Sequence, residues 1–359
     1  MNRALIAMSG GVDSSVAAYL AREAGFECIG VTLKLFDDGG AAAALPGRKT
    51  CCALTDVNDA RDVAVRLDIP HYVLNFTDVF REQVMRRFVD TYLRGETPNP
   101  CIDCNRFIKF DRLLHRAAEL LCDTVVTGHY ARVEKQGSRY ILRKARDPAK
   151  DQSYVLYTAT QKQLSVLRFP LGDLVKPAVR AIAEQQGFGN ARKKESQDIC
   201  FVPQGDYGAF IERFTGTPLR PGNIVDGAGA VIGRHRGVAR YTIGQRRGTG
   251  VAVNAPVYVT EKSAWDNTIT AGPEAALYRT ALTARDINLV AVASFEKPLR
   301  VTAKTRYLQR EEAATVEQTG EDSFTVVFDR PQRAVTPGQA VVLYVGDVVA
   351  GGGTIARAF

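Results

Sequence analysis

Long apolar runs are missing from this 359-residue chain, so no stretch of it suits a bilayer crossing and no membrane partner is expected. The first expected core strand begins by Ala4, which leaves no room for a secretory leader. No internal repeat with a solenoid period is visible. The cysteines do not make a disulfide framework: seven is an odd number in a large chain, which argues for reduced thiols in a cytoplasm, used for chemistry. Neither charge sign dominates. Lys and Arg number 47 against 39 Asp and Glu, and a net +8 permits a polyanionic partner without requiring one. At 45% hydrophobic residues the chain is globular, and its length exceeds one ordinary core, so two or three domains are expected.

What is there begins at Ser9-Gly10-Gly11-Val12-Asp13-Ser14-Ser15. The turn lies between the apolar run Ala4-Leu5-Ile6-Ala7-Met8 and a helical pattern of Val16, Ala17, Leu20, Ala21 and Ala24 that stops at Gly25. Two adjacent glycines let the backbone approach an anion. Serine hydroxyls and free N–H groups at a helix start supply donors. Asp13 does not suit an anion cradle by itself, and a carboxylate beside phosphates is read as helping to hold magnesium. The lysine followed by Ser or Thr that a kinase-type P-loop needs is absent. The loop instead resembles the PP-loop of the N-type ATP pyrophosphatases, which cleave ATP between the α and β phosphates and adenylate a substrate oxygen.

The pattern further along alternates. Strands are expected at residues 28–36, 72–76 and 124–127. Helices are expected at 55–67, 78–94, 106–121 and 176–187, with a hairpin around Gly137-Ser138 and a loop over residues 39–49. That order predicts an α/β domain with a doubly wound parallel sheet over residues 1–205, with ligands beyond the carboxyl ends of the strands. Residues 206–275 read as a small central β-rich domain with short, glycine-punctuated strands. Residues 276–359, alternating through residues 300–307, 323–328, 340–345 and 348–357, read as a C-terminal antiparallel β-barrel.

Thr97-Pro98-Asn99-Pro100-Cys101-Ile102-Asp103-Cys104-Asn105 is the second informative stretch. The prolines stiffen the backbone, and the C-x-x-C stands where a helix is about to begin, a setting that favours thiolate. Cys104 is expected nearer the first turn than Cys101. No second C-x-x-C or paired histidines follow at zinc spacing. Cys200, after the basic run Arg192-Lys193-Lys194, completes a three-cysteine set that also matches iron–sulfur ligation. Cys28 and Cys122 read as core, and Cys51-Cys52 as accessory thiols. Phosphate contacts are expected from Lys150, Arg192, Lys193, Lys194, Arg234, Arg236, Arg246 and Arg247.

Together with Gly128-His129-Tyr130-Ala131-Arg132, Lys150-Asp151-Gln152-Ser153, Ser196-Gln197-Asp198-Ile199-Cys200-Phe201, Tyr241-Thr242-Ile243-Gly244-Gln245-Arg246, Arg306-Tyr307 and Pro337-Gly338-Gln339, these motifs resemble the bacterial tRNA-specific 2-thiouridylases over essentially the whole chain. The resemblance implies ATP-dependent sulfur transfer to C2 of the wobble uridine in tRNAs for Lys, Glu and Gln, with release of AMP and pyrophosphate. It implies ATP binding by Ala7, Met8, Ser9, Gly10, Gly11, Val12, Asp13, Ser14, Leu33 and Gly128. Cys104 and Cys200 correspond to the nucleophile and the persulfide carrier, and Asp13 joins them as a catalytic residue. Asn99, Pro100 and Cys101 fall where the family meets the target base. His129, Lys150, Asp151, Gln152, Arg306, Tyr307 and Gln339 fall at positions that touch tRNA. The sulfur would come from a donor protein such as a cysteine desulfurase or a sulfur relay protein. One departure matters: some members carry an aspartate, a candidate general base, where this chain has Cys101. The alternatives are a cluster-dependent thiolase using Cys101, Cys104 and Cys200 as iron–sulfur ligands, and a PP-loop amide-forming ligase.

Overall fold

The computed structural model describes residues 2–36, 54–194, 199–202, 205–251 and 255–359. They fall into two compact units, one of Met1–Val84, Cys101–Phe201 and Asp347–Val349, the other of Met85–Pro100, Val202–Gly346 and Ala350–Phe359.

In the first unit β1 (Arg3–Ala7), β2 (Glu27–Lys34), β3 (His71–Asn75), β4 (Thr124–Thr127) and the short β7 (Leu167–Arg168) form one sheet in the order β3-β2-β1-β4-β7. Every pairing in it is parallel. Its inner strands are covered on both faces, which is why they read as unbroken apolar runs. Helix α1 (Val12–Glu23) turns Val12, Val16, Ala17 and Ala21 inward, where α2 (Leu54–Arg66) brings Ala60, Val63 and Ala64. The order reverses between β1 and β4, so the loops after these two strands flank the crevice where such sheets bind ligands.

Two further helical stretches cover residues 77–93 (α3) and 100–119 (α4), each with a π-helical middle, Arg81–Arg86 and Cys104–Arg112. β5 (Arg132–Gln136) and β6 (Arg139–Arg143) make the expected hairpin, with Gly137 at φ +59° in its turn. Asp347 pins the hairpin by accepting from Arg132 at 2.7 Å and from Arg143 at 2.7 Å. Short helices α5 (Ser153–Leu156) and α6 (Gln161–Val166) precede β7, and α7 (Lys176–Gln185) follows it.

Within the second unit, the region expected over residues 206–275 departs from expectation at its start. It does not open with short strands: helix α8 (Tyr207–Thr215) comes first, capped by Asp206, whose Oδ1 accepts from the Ala209 amide at 2.9 Å. Strands β8 (Gly222–Val225), β9 (Val231–His235), β10 (Tyr258–Ser263) and β11 (Thr268–Gly272) then form a sheet in the order β10-β11-β8-β9. The predicted barrel is present. β12 (Tyr278–Leu289), β13 (Leu299–Lys304), β14 (Glu312–Gly320), β15 (Ser323–Arg333), β16 (Ala340–Val345) and β17 (Val348–Ala358) run β12-β15-β14-β13-β16-β17, and β17 closes onto β12. The barrel interior holds Leu282, Val301, Val316, Phe324, Val326, Val341, Leu343 and Ile355. β13 ends at Lys304, short of the expected Tyr307, because Thr305 donates its amide and hydroxyl to Gln309 Oε1 at 3.2 and 2.6 Å and turns the chain.

Candidate active site

The turn after β1 is folded by its own side chains. Ser14 Oγ accepts from the Ser9 amide at 3.1 Å and donates to the Gly11 carbonyl at 2.9 Å. Ser15 Oγ donates to the same carbonyl at 3.1 Å. Gly10 has φ +72°, and a Cβ there would stand 2.2 Å from the Asp56 carbonyl oxygen. Gly128, after β4, lies against the start of α1 so closely that a Cβ would meet Asp13 C and Ser14 N at 2.7 Å each. Both glycines are therefore required by crowding, and they bring the carboxyl ends of β1 and β4 together around the free N–H groups of α1. Leu33 stands half-buried near the end of the adjoining β2.

Asp13 has a defined partner. The Lys176 ammonium lies 2.7 and 2.8 Å from its two carboxylate oxygens, and Tyr130 donates its hydroxyl to Oδ1 at 2.7 Å. The same ammonium sits 5.7 Å from the centroid of the Tyr130 ring. Both oxygens of Asp13 are thus engaged by a lysine, and among the described residues no group of three His, Cys, Asp or Glu converges as a metal site. Asp13 here holds the ammonium of Lys176. Cys101, Cys104 and Cys200 likewise form no cage that fits an iron–sulfur cluster.

Lys176, Asn190 and Lys193 went unassigned to this loop in the sequence reading. Asn190 Nδ2 donates to the Gly10 carbonyl at 3.0 Å and to Ser15 Oγ at 2.9 Å. Lys193 donates to that carbonyl at 3.1 Å and also pairs with Asp56 and Asp59. Burial lowers the pKa of the Lys193 ammonium, but the hydrogen bonds and charges of the two aspartates outweigh it, and the net shift is upward. Read in sequence as part of a basic phosphate-binding run, Lys193 is turned inward as a strut. Its neighbours Arg192 and Lys194 are exposed.

The thiols differ in setting. Pro100 opens α4, so Cys101 occupies the first turn and Cys104 starts the π-helical stretch, the reverse of the expected placing. A π turn widens the helix locally and is a recurrent feature of functional sites. Asn105, next in sequence, is buried and anchors the stretch by donating Nδ2 to the Val155 carbonyl at 3.0 Å. Cys101 is exposed, whereas Cys104 and Cys200 are half-buried, and none of the three is in a disulfide. Phe201 fixes the chain just after Cys200 by packing edge-on against Phe80, 5.6 Å between centroids. Cys28 and Cys122 are core, and burial pushes the Cys28 thiol up to about 11. Cys51, Cys52, residues 39–49 and Ser196-Gln197-Asp198 lie outside the described residues.

Several positions that the resemblance puts on tRNA have tasks inside the fold. Asp151 accepts from the amides of Ala145 at 2.9 Å and Ser153 at 3.2 Å. Gln152 locks Tyr130 in both directions, accepting its amide at 2.9 Å and donating its own to the Tyr130 carbonyl at 2.8 Å. The Lys150-Asp151-Gln152-Ser153 motif therefore sets the tyrosine that holds Asp13. Arg306 Nη2 donates to the carbonyls of Ile243 at 3.2 Å and Ala334 at 2.7 Å, while Tyr307 and Lys150 are half-buried.

His129 is buried between Phe110 and Phe169. Lys109 donates to its Nε2 at 3.3 Å, so Nδ1 carries the proton given to Thr127 Oγ1 at 2.6 Å. Burial first, then the Lys109 charge, holds its pKa well below 6.5. As pH falls below the unfolded value of about 6.5, the unfolded chain binds a proton that the folded chain refuses. Stability from this group, complete above that pH, is then lost at up to about 1.4 kcal/mol per pH unit. Thermal melts between about pH 7 and pH 5 should show the loss, and His129→Gln should flatten part of it. His71 and His235, also lowered chiefly by burial, contribute in the same direction.

The family described as the tRNA methyl transferase HUP domain matches residues 2–204, its PRC-barrel domain residues 208–273, and the aminomethyltransferase beta-barrel domain residues 279–355. The tRNA-specific 2-thiouridylase MnmA of Moorella thermoacetica is 50% identical over 98% of this chain and 98% of its own. That of Clostridioides difficile is 46% identical over 99% of this chain and 98% of its own. The chain belongs to the tRNA-specific 2-thiouridylase family. Solved structures are more distant: a 4-thiouridine synthetase–RNA complex with bound ATP matches 60% of this chain and 50% of that one at 19% identity and a TM-score of 0.39. In this member of the 2-thiouridylase family, the first unit thus combines a glycine- and serine-rich turn at the start of α1, a lysine held by Asp13, and two half-buried thiols, Cys104 and Cys200.

Proposed function

We propose that the protein is a tRNA-uridine 2-sulfurtransferase that thiolates C2 of the wobble uridine in tRNAs for Lys, Glu and Gln, in the cytoplasm. The observation that carries this reading is near-full-length identity of about half to curated 2-thiouridylases in a chain that retains the cradle and both thiols.

The C2 oxygen is a poor leaving group and is first made a phosphate ester. ATP lies with its phosphates on Ser9–Ser14 and the α1 amides, Gly128 closing the cradle from β4 and Leu33 flanking the adenine. Lys176, aimed by Asp13, offsets charge at the phosphates. Magnesium bound with the nucleotide near Asp13 would supply further charge neutralisation at the phosphates. Attack of the C2 oxygen on the α-phosphorus forms the C2–O–P bond and releases pyrophosphate. A persulfide on Cys200, loaded by a cysteine desulfurase or relay protein, attacks C2 through its outer sulfur and displaces AMP. The Cys104 thiolate then attacks Cys200 Sγ and breaks the sulfur–sulfur bond. The outer sulfur stays on C2, and a Cys104–Cys200 disulfide forms for later reduction.

A disulfide requires α-carbons within about 7 Å, so turnover must bring Cys104 and Cys200 within that reach. Extrusion of the base is cheap in an anticodon loop. Asn99, Pro100 and Cys101 meet it, and the proton that an aspartate would manage at position 101 passes through Asp13, water or Cys101. His129, Asp151, Gln152 and Arg306 serve tRNA by holding the surfaces that touch it. Exposed Arg192, Lys194, Arg234, Arg236, Arg246 and Arg247, with Lys150 and Tyr307, supply backbone contacts and make binding salt-dependent. Residues 1–205, 206–275 and 276–359 would then act as catalytic, central and tRNA-contacting modules.

Mass spectrometry of nucleosides from tRNA incubated with protein, ATP, magnesium, and a cysteine desulfurase with cysteine as the persulfide source tests the reading. 2-Thiouridine should appear only when ATP is present, and its absence with a desulfurase shown to form persulfide would refute the assignment.

A further inference from the structure

Residues 95–100 belong to the second unit and run directly into Cys101. Pro98 and Pro100 have no N–H, so this segment cannot pair as a strand, and its carbonyls must find donors elsewhere. They find them on two side chains. Gln339 Nε2 donates to the carbonyls of Thr97 and Pro98, at 3.0 Å each. Lys262 Nζ lies 3.4 Å from the Glu96 carbonyl and 3.0 Å from that of Tyr241, over the Tyr92 ring at 5.7 Å.

The supports are themselves rigid. The Thr97 amide donates to the Pro337 carbonyl at 2.9 Å, and the Gly338 amide and Gln339 carbonyl exchange hydrogen bonds with Ile355 of β17 at 2.9 and 2.8 Å. At Gly338, φ is +88° and a Cβ would meet Glu96 Cβ and Thr97 N at 2.9 Å, so only glycine lets the two segments touch. Arg285 adds a charge-assisted contact to the Glu96 carboxylate at 2.9 and 3.2 Å.

We infer that Gln339 and Lys262 are positioning residues which brace this proline strap from the barrel and the central sheet, and so fix where Asn99, Pro100 and Cys101 meet the target base. The inference rests on the reading above that these three residues contact the base. It gives the C-terminal barrel a role in catalytic geometry, and it gives Gln339 work that precedes any encounter with tRNA.

Gln339→Glu is nearly isosteric but sets a carboxylate against two carbonyl oxygens, and Lys262→Met removes the second donor without touching the Pro337 loop. Hydrogen exchange on the full-length, tRNA-free enzyme should show faster exchange across residues 95–101 in both variants, with melting temperatures confirming that the fold persists. Misplacement of the strap should lower kcat for thiolation by about ten- to a hundredfold, with KM for tRNA changing less than about twofold. Unchanged exchange with a raised KM for tRNA in Gln339→Glu would identify a direct RNA contact and overturn the inference. Failure of the wild-type enzyme to thiolate tRNA would instead remove the underlying functional reading, while the exchange result would still report on the brace.

Discussion

Replacing Cys200 with serine should reduce 2-thiouridine formation by more than about a thousandfold and leave tRNA affinity within about twofold of wild type. The substitution changes little in volume, and the buried Phe201–Phe80 contact that anchors the segment is untouched. What disappears is the sulfur atom that can carry a second sulfur. Adenylation precedes that step, so pyrophosphate release should persist in the variant. Cys104→Ser should behave differently: C2 is attacked, but the sulfur–sulfur bond is not cleaved, and an enzyme–tRNA adduct should accumulate that a thiol reductant releases. Nucleoside mass spectrometry, pyrophosphate assay and filter binding separate the three quantities. Full sulfur incorporation by Cys200→Ser would exclude the carrier role.

That experiment concerns residues legible in the sequence, and the reason is local. A cradle made from consecutive residues leaves a compact signature, and Ser9-Gly10-Gly11-Val12-Asp13-Ser14 shows it because Ser14 bonds atoms only three to five positions away. The parallel sheet was legible for the same reason, as short apolar runs alternating with helical spacing. The supports of the loop were not. Lys176 reaches Asp13 across 163 positions, and Asn190 reaches Gly10 across 180. Nothing in the spacing of a lysine at the start of an ordinary helix tells it from a solvated one.

Helix α8 was missed for another reason. Gly208 lowers its helical propensity, and a Cβ at that position would crowd the Arg240 side chain, 2.5 Å from its Cγ. β14 was missed because its inward positions, Ala314 and Val316, are small and its flanks polar, which leaves a faint alternation. Gln339 shows the limit most sharply. The motif marks the residue, but only the fold shows that its carboxamide faces Thr97 and Pro98.

Lys176→Met should lower ATP-dependent AMP formation by about a hundred- to a thousandfold, the usual loss when one preorganised charge-stabilising donor is removed. Asp13→Ala should do the same by a different route, since the lysine stays but loses its aim. The two variants separate stability from chemistry. With Asp13 gone, the Lys176 side chain, 10% exposed, loses its counterion, whereas the Asp13 side chain is 27% exposed and more easily solvated when Lys176 is gone. The loss of stability should therefore be larger for Asp13→Ala, on the order of 1–3 kcal/mol once partial exposure is allowed for. The double variant Asp13→Asn/Lys176→Met leaves no unpaired charge, so it should recover most of that stability and none of the AMP formation. Chemical denaturation and an AMP-release assay on the three proteins decide the matter. AMP formation that returned with stability would make the pair a structural ion pair only, and unchanged AMP formation in either single variant would take Asp13 and Lys176 out of the phosphate chemistry altogether.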